Sequence, residues 1–407
     1  AMTDGTDCTI LGYQAGLAMT GANNNVAIGT DALQSMVHGD NNTAVGLGAL
    51  KQADEAGINR NTAVGHTAAT NLSTATSTTA IGSRAMGTGV VTGDNNVAVG
   101  ESAGAAMTSG DANVIIGSEA GAANATGSSN VYIGARAADV IADGVGNTVV
   151  GKDAFGGVSG ADCDHNVAIG LDAMLGNSSS IADDNVAIGY LALTAFTSGS
   201  SNTTVGVHAG KAITSGYRNT LIGSTAGDLL VDGFNNICLG AAIDCSATDA
   251  ENQIVIGYNY AGTADRTVHI GDGSNHLHTA FSSASWSATS DIRQKKNIKD
   301  DSLGLEFIKS LRTTTYNHKS PSEFPKEWDS YDIDNKKPMD GDTVFHSLIA
   351  QEVKQSLDDI DCKTFGGWSV DSDGRQRVAK GEFITPLIKA VQELSEQVED
   401  LKKQINK

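Results

Sequence analysis

Three short runs in the sequence carry residue types that do chemistry elsewhere. Asp162-Cys163-Asp164-His165 groups carboxylate, thiol and imidazole, the ligand types that hold transition metals. Gly146-Asn147-Thr148-Val149-Val150-Gly151-Lys152 imitates a loop that cradles phosphate, and Gly100-Glu101-Ser102-Ala103-Gly104 imitates a nucleophile elbow. Each fails on its context. Asp153 follows the lysine where Mg²⁺ needs a hydroxyl, and the serine lacks a strand–turn–helix setting. Both runs also sit in the frame of a repeat that accounts for every element of them. Asp162, Asp164 and His165 lie in a lengthened copy of that repeat, with Asp183-Asp184 in the next, and a solvated insertion is the simpler reading. No metal and no cofactor is assigned, and those three residues stand nearest to a metal site. The 25 acidic residues before position 290 offer many carboxylate pairs of the kind glycoside hydrolysis uses, and nothing singles one out.

Composition divides the chain near residue 290. Residues 1–289 hold 8 Lys and Arg against 25 Asp and Glu, with 42 of the 48 glycines and no proline. Residues 290–407 hold 19 against 22, and all four prolines. So few cations on an acidic chain cannot neutralise many phosphates, which argues against nucleic acid as a partner. No run of about 18 apolar residues occurs and no basic n-region precedes an apolar stretch, so neither membrane insertion nor a signal peptide is expected. The five cysteines have no framework spacing and read as free thiols of a protein made in a reducing cytosol.

What positions side chains in the first part is the repeat. Asn25-Val26-Ala27-Ile28-Gly29 returns as Asn96-Val97-Ala98-Val99-Gly100 and Asn185-Val186-Ala187-Ile188-Gly189. The glycine recurs sixteen times from Gly12 to Gly271, mostly at steps of 17, with three of 19, one of 18 and a last of 14. Ile, Val or Leu precedes it in every copy, and two residues earlier stands Val, Thr or Ile. That period of two predicts a strand whose β-branched residues form one buried face. Asn stands four before the glycine in twelve copies, suited to left-handed turns and side-chain ladders. Ala stands three after it in the first thirteen, keeping the interior narrow. Copies of this kind bury their apolar face only by stacking, which predicts a parallel solenoid over residues 1–273, roughly 75 Å long at about 4.8 Å per coil. Residues 274–289 read as an extended linker or stalk.

From residue 290 the composition is that of an ordinary α/β domain. Leu303–Leu311 reads as helix, Thr313–Asn317 as strand, Val344–Val353 as a strand running into a helix, and 383–407 as a long helix. In that helix Leu387, Val391, Leu394, Val398, Leu401 and Ile405 alternate steps of four and three, a coiled-coil seam. Its alternation of β-branched residues with Leu favours two strands.

The Val-Ala-Ile-Gly core of the repeats resembles the haemagglutinin-type head repeats of trimeric autotransporter adhesins. That resemblance implies a left-handed parallel β-roll with three rolls side by side. The family's unit is shorter than seventeen, so a triangular β-helix and strands interleaved between chains stay open. Residues 290–407 resemble the self-cleaving intramolecular chaperone domain of phage endosialidase-type tailspikes and tail fibres. The landmarks are Ser290-Asp291-x-Arg293-x-Lys295-Lys296-Asn297-Ile298, Leu348-Ile349-Ala350-Gln351-Glu352-Val353 and Pro386-Leu387-Ile388-Lys389-Ala390-Val391-Gln392-Glu393-Leu394. This second resemblance implies a homotrimer that assembles before cleavage, with three strands in the coiled coil, since an attached rod can dictate the number. It implies cleavage between Thr289 and Ser290, with Ser290 as nucleophile and Lys295 as general base, and release of the domain.

The chemistry asks for a neutral lysine, hence an amine well below its ordinary 10.4 or so, through burial and the nearby cations Arg293 and Lys296. Five residues apart, the pair meets neither on a helix nor on a strand. A turn, or a lysine from a neighbouring chain, is required. The expected role is a virion tail fibre, made in the bacterial cytoplasm, that binds a host cell-surface glycan or other receptor. A depolymerase cutting that glycan and a bacterial trimeric adhesin are the alternatives. Tyr13, Tyr132, Tyr190, Tyr217 and Tyr258 are the aromatics expected to stack on sugar.

Overall fold

A computed structural model describes residues 6–52, 58–157, 163–176, 183–273, 276–281, 287–288, 292, 295–326, 328, 331–338, 343–371 and 374–406. The chain forms two compact units, Ala1–Ser290 and Asp291–Lys407.

The first unit is a parallel β-solenoid with coils of about 17 residues. Three-residue strands run from Thr9–Leu11 to Ile237–Leu239, followed by Ile254–Tyr258 and Thr267–Asp272, each paired in parallel with the strand of the next coil. The register is one repeat throughout: Val97 lies opposite Val114 and Ala98 opposite Ile115. His276–Ala280 and Ser287–Ala288, in the stretch the sequence gives to a linker, continue the sheet antiparallel.

Left-handed corners close each coil. In the second coil Asp31, Leu33 and Asn41 have φ of 59°, 50° and 62°, and each donates its N–H to a neighbouring coil, to Tyr13, Ala49 and Asn23 at 2.9–3.1 Å. A left-handed residue costs about 1 kcal/mol, and these inter-coil bonds offset it. At Gly29 φ is +126°, and a β-carbon there would lie 2.6 Å from the carbonyl oxygen of Gly46. Neither condition admits a side chain.

The buried face differs from the sequence expectation. The residue between the β-branched pair points inward: Ala27, Ala44, Ala63 and Ala98 are fully buried, whereas Val26 and Ile28 on either side are half-buried. The interior is lined on its other wall by the repeated Ala32, Ala49 and Ala68. The two β-branched rows take the outer face of the strand. The asparagine column is a buried ladder. Asn113 donates its backbone N–H to Asn96 Oδ1 at 2.9 Å and its amide to Gly127 O at 2.8 Å.

The second unit is a small mixed domain. Helix α1 is Leu305–Ser310, α2 is Ala350–Asp359 and α3 is Ile384–Ile405. Strands Thr314–Tyr316 and Phe345–Ser347 pair antiparallel, as do Trp368–Val370 and Gln376–Val378. Leu303, Phe307, Val353, Leu357 and Phe383 form the core, where Phe365 packs edge-on against Phe307 and Phe383. Glu393 Oε2 accepts the N–H of Leu305 at 2.7 Å, fastening α1 to α3. No described helix is long and apolar enough to cross a membrane.

Candidate cleavage site and ligand-facing surfaces

The first unit's sheet runs up to the junction. Leu277 lies opposite Ala288 and His278 opposite Ser287, one residue before the expected cleavage position. Thr289 and Ser290 themselves lie outside the described residues. Just past them, Lys295 donates its N–H to the Ile292 carbonyl at 3.1 Å. The Lys295 side chain is exposed in the single chain.

A histidine cluster, which the sequence reading did not single out, closes this end of the solenoid. His269 is fully buried, with the Tyr260 hydroxyl 2.9 Å from Nδ1 and the Thr267 hydroxyl 2.8 Å from Nε2. Its ring stacks on that of His278, and Tyr260 stacks on His276. Burial, with His278 and His276 beside it, holds the His269 imidazole down at about 4. Two coils before His269, the buried thiol of Cys238 faces that of Cys245 at 3.3 Å. The cross-strand pairing of His269 with His278 was not readable from the sequence, which gives no register for the antiparallel return.

Of the metal candidates, Asp162 lies outside the described residues. Asp164 accepts the N–H of Val145 at 2.7 Å and donates its own N–H to Asp183 Oδ1 at 3.0 Å, so both carboxylates serve as rungs between coils. His165 Nδ1 stands 3.7 Å from Asp184 Oδ1 on the surface. Among the described residues no three His, Cys, Asp or Glu side chains are grouped to hold a metal.

The five tyrosines divide. Tyr132 occupies an interior strand centre and is fully buried, which pushes its phenol up and takes it out of any ligand-facing role. Tyr13, Tyr190, Tyr217 and Tyr258 are exposed. Tyr217 stacks flat on Phe234 at 5.0 Å, with the Arg218 guanidinium 5.6 Å from its ring centre. With Ser198, Ser200, Ser201 and Ser215, Tyr217 and Arg218 line a shallow cavity of about 230 Å³. The stack was there to be found: Tyr217 and Phe234 are seventeen residues apart, in one column of the repeat.

In the second unit a cavity of about 570 Å³ opens between Ile308, Leu311, Leu348, Phe383 and Leu387. From Leu387 the predicted seam runs along α3 in the expected register, and its residues are exposed in the single chain, from 42 % at Val398 to 82 % at Ile405.

No curated protein and no solved structure matches the chain. Residues 290–361 match the family model for the chaperone of endosialidase. The carboxy-terminal unit therefore carries a chaperone-of-endosialidase domain, and a parallel β-solenoid ahead of it fits a tail fibre or tailspike with its own chaperone.

Proposed function

We propose that this chain is a phage tail fibre or tailspike subunit that trimerises through its carboxy-terminal domain and then sheds that domain by cutting itself between Thr289 and Ser290. The observation that carries the reading is a coincidence of boundaries. The sheet ends at Ala288, the compact units part after Ser290, and the family match begins at Ser290. In this scheme Ser290 Oγ attacks the Thr289 carbonyl. The Lys295 amine takes the hydroxyl proton and returns it to the Ser290 nitrogen as the peptide bond breaks, and water then hydrolyses the ester. On a denaturing gel the native chain yields 1–289 and 290–407, while Ser290→Ala stays whole; equal cutting of both sinks the assignment.

The released shaft binds host-surface glycan. Exposed tyrosines and the serine-lined cavity at Tyr217 and Arg218 supply the stacking and hydrogen-bonding groups that sugars take. Purified shaft trimers then bind host cells or their isolated polysaccharide. Absence of binding to both refutes adhesion, and shortening of the polysaccharide replaces it with the depolymerase reading.

A further inference from the structure

We infer that the cavity at Tyr217 and Arg218 binds a sugar bearing a carboxylate, and that this carboxylate takes the place of an aspartate that the solenoid's own ladder lacks there. The inference rests on the glycan-binding reading above and names the class of sugar.

A second ladder runs beside the asparagines, six residues before the corner glycine. In several coils the backbone N–H at this position donates to an aspartate one coil further on. Thr76 donates to Asp94 Oδ1 at 2.7 Å, Asp94 to Asp111 Oδ1 at 2.6 Å and Asp164 to Asp183 Oδ1 at 3.0 Å. The Thr76 hydroxyl donates to the same Asp94 oxygen at 3.0 Å. At Ser200 the column changes, because the next two coils offer Tyr217 and Phe234. The Ser200 N–H has no acceptor among the described residues, and Ser200 lines the cavity. The donors that hold a carboxylate at Thr76 therefore border a cavity at Ser200.

The charge beside it points the same way. Lys51, Arg84, Arg136, Lys152 and Lys211 each pair with a carboxylate of the shaft. Arg218 pairs with none among the described residues, and it is the one charged group lining the cavity. A guanidinium grips a carboxylate through two parallel hydrogen bonds, which a neutral sugar hydroxyl cannot match.

Tyr217 supplies an apolar platform. Its ring lies parallel to that of Phe234, at 1° and 5.0 Å, and backbone bridges join Tyr217 to Phe234 and Phe234 to Glu251. One ring face is thus backed, and the short Ser200 side chain in the coil before leaves the other open to the cavity. A sugar lays its C–H face on such a ring. The volume of about 230 Å³ has room for one sugar ring, so the site reads a single residue of a polysaccharide. Platform, guanidinium and the unfilled ladder position meet within one coil step, and together they fit a ring with a carboxylate at its edge.

The test is an array of oligosaccharides containing glucuronate or galacturonate, each beside its carboxyl-reduced twin, probed with the native protein. The twins differ only in carrying a neutral hydroxymethyl group. At least one acidic member is expected to bind at least ten-fold more tightly than its twin, and Arg218→Asn to lose that binding at least ten-fold. Asparagine holds the same left-handed corner at Asn235 and Asn252, with φ of 57° and 53° against 55° at Arg218, so the unfolding midpoint should not move. Tyr217→Asp restores the ladder carboxylate and should also abolish binding without lowering that midpoint. Equal binding of an acidic sugar and its reduced twin overturns the carboxylate and leaves glycan adhesion standing. Retention of no acidic sugar, or binding that survives both variants, overturns the site. In that case binding of the native protein to host polysaccharide keeps adhesion through other residues, and its absence removes both readings.

Discussion

A β-carbon on Gly121 would lie 2.9 Å from Cδ2 of Tyr132 in the next coil. The large ring at the strand centre occupies the space that elsewhere belongs to the residue four past the corner glycine. Where the strand centres are Ala27 and Ala44, that residue is Leu33, buried and left-handed at φ 50°. Where they are Ile115 and Tyr132, it is Gly121 at φ 51°. The coils thus share a backbone but exchange volume across the interior, as close packing requires.

Gly121→Leu should therefore destabilise the shaft by about 3 kcal/mol or more, mainly through overpacking, with a left-handed backbone cost of about 1 kcal/mol that the coil at Leu33 already carries. Adding Ile115→Ala and Tyr132→Ala recreates the Ala27–Leu33–Ala44 arrangement and should restore most of the loss. Denaturant midpoints of the single and triple variants measure the coupling. A triple variant weaker than the sum of its parts would refute the exchange.

The asparagine ladder makes a second prediction. Asn113 Oδ1 accepts both the backbone N–H of Asn130 at 3.0 Å and its amide at 3.1 Å, while Asn113 Nδ2 satisfies Gly127 O. Asn113→Ala strands these groups in the interior, at a cost of about 2–4 kcal/mol. Ser118→Ala, on the exposed position past a glycine, should change stability by less than about 0.5 kcal/mol. Thermal unfolding of the two variants separates them.

Acid should loosen the histidine end of the shaft. His269 faces the Tyr260 and Thr267 hydroxyls and the His276 and His278 rings, and takes its proton only near 4 against an ordinary 6.5. Below 6.5 the unfolded chain binds a proton that the folded chain refuses, so stability falls as pH drops from 6.5 and levels off below about 4. The full span is at most about 3 kcal/mol. Asp244, pushed up to about 6 by burial with Asp228 nearby, works the other way and gains stability as pH falls from 6 towards 3.8. The measurement is therefore the difference in unfolding free energy between the native chain and His269→Gln, followed from pH 7.5 to 4. A difference that does not change with pH removes His269 as the cause.

The repeat made the solenoid legible because sixteen copies act as an internal record of which positions are constrained. The glycine corner, the asparagine ladder and the alanine wall all follow from it. The record does not say which side of a strand is inside. The expectation that Val26 and Ile28 are buried follows from their being apolar, whereas the interior takes the strand centre, Ala27 in one coil and Tyr132 in another. Contacts without a periodic trace, such as His269 with His278, stayed hidden. In the second unit the amphipathic helices were legible, while Trp368–Val370 and Gln376–Val378 were not, being three-residue strands that show no clear alternation.

The last prediction couples cutting to assembly. Lys295 is exposed in the single chain, whereas a general base at this position has to meet the Ser290 hydroxyl away from bulk water. If neighbouring copies enclose it, that condition is met only in the trimer. Leu394→Asp places a charge in the middle of the α3 seam, where the native residue is 49 % exposed and its loss leaves the domain core of Phe307, Val353 and Phe383 untouched. That variant should lose the trimer and slow self-cleavage at least ten-fold, while Lys295→Ala should keep the trimer and not cut at all. Lys295→Arg, which cannot become neutral, should behave like the alanine variant. Cleavage of Leu394→Asp at the native rate while it runs as a monomer would show that the dyad is complete within one chain and that cutting does not wait for its partners.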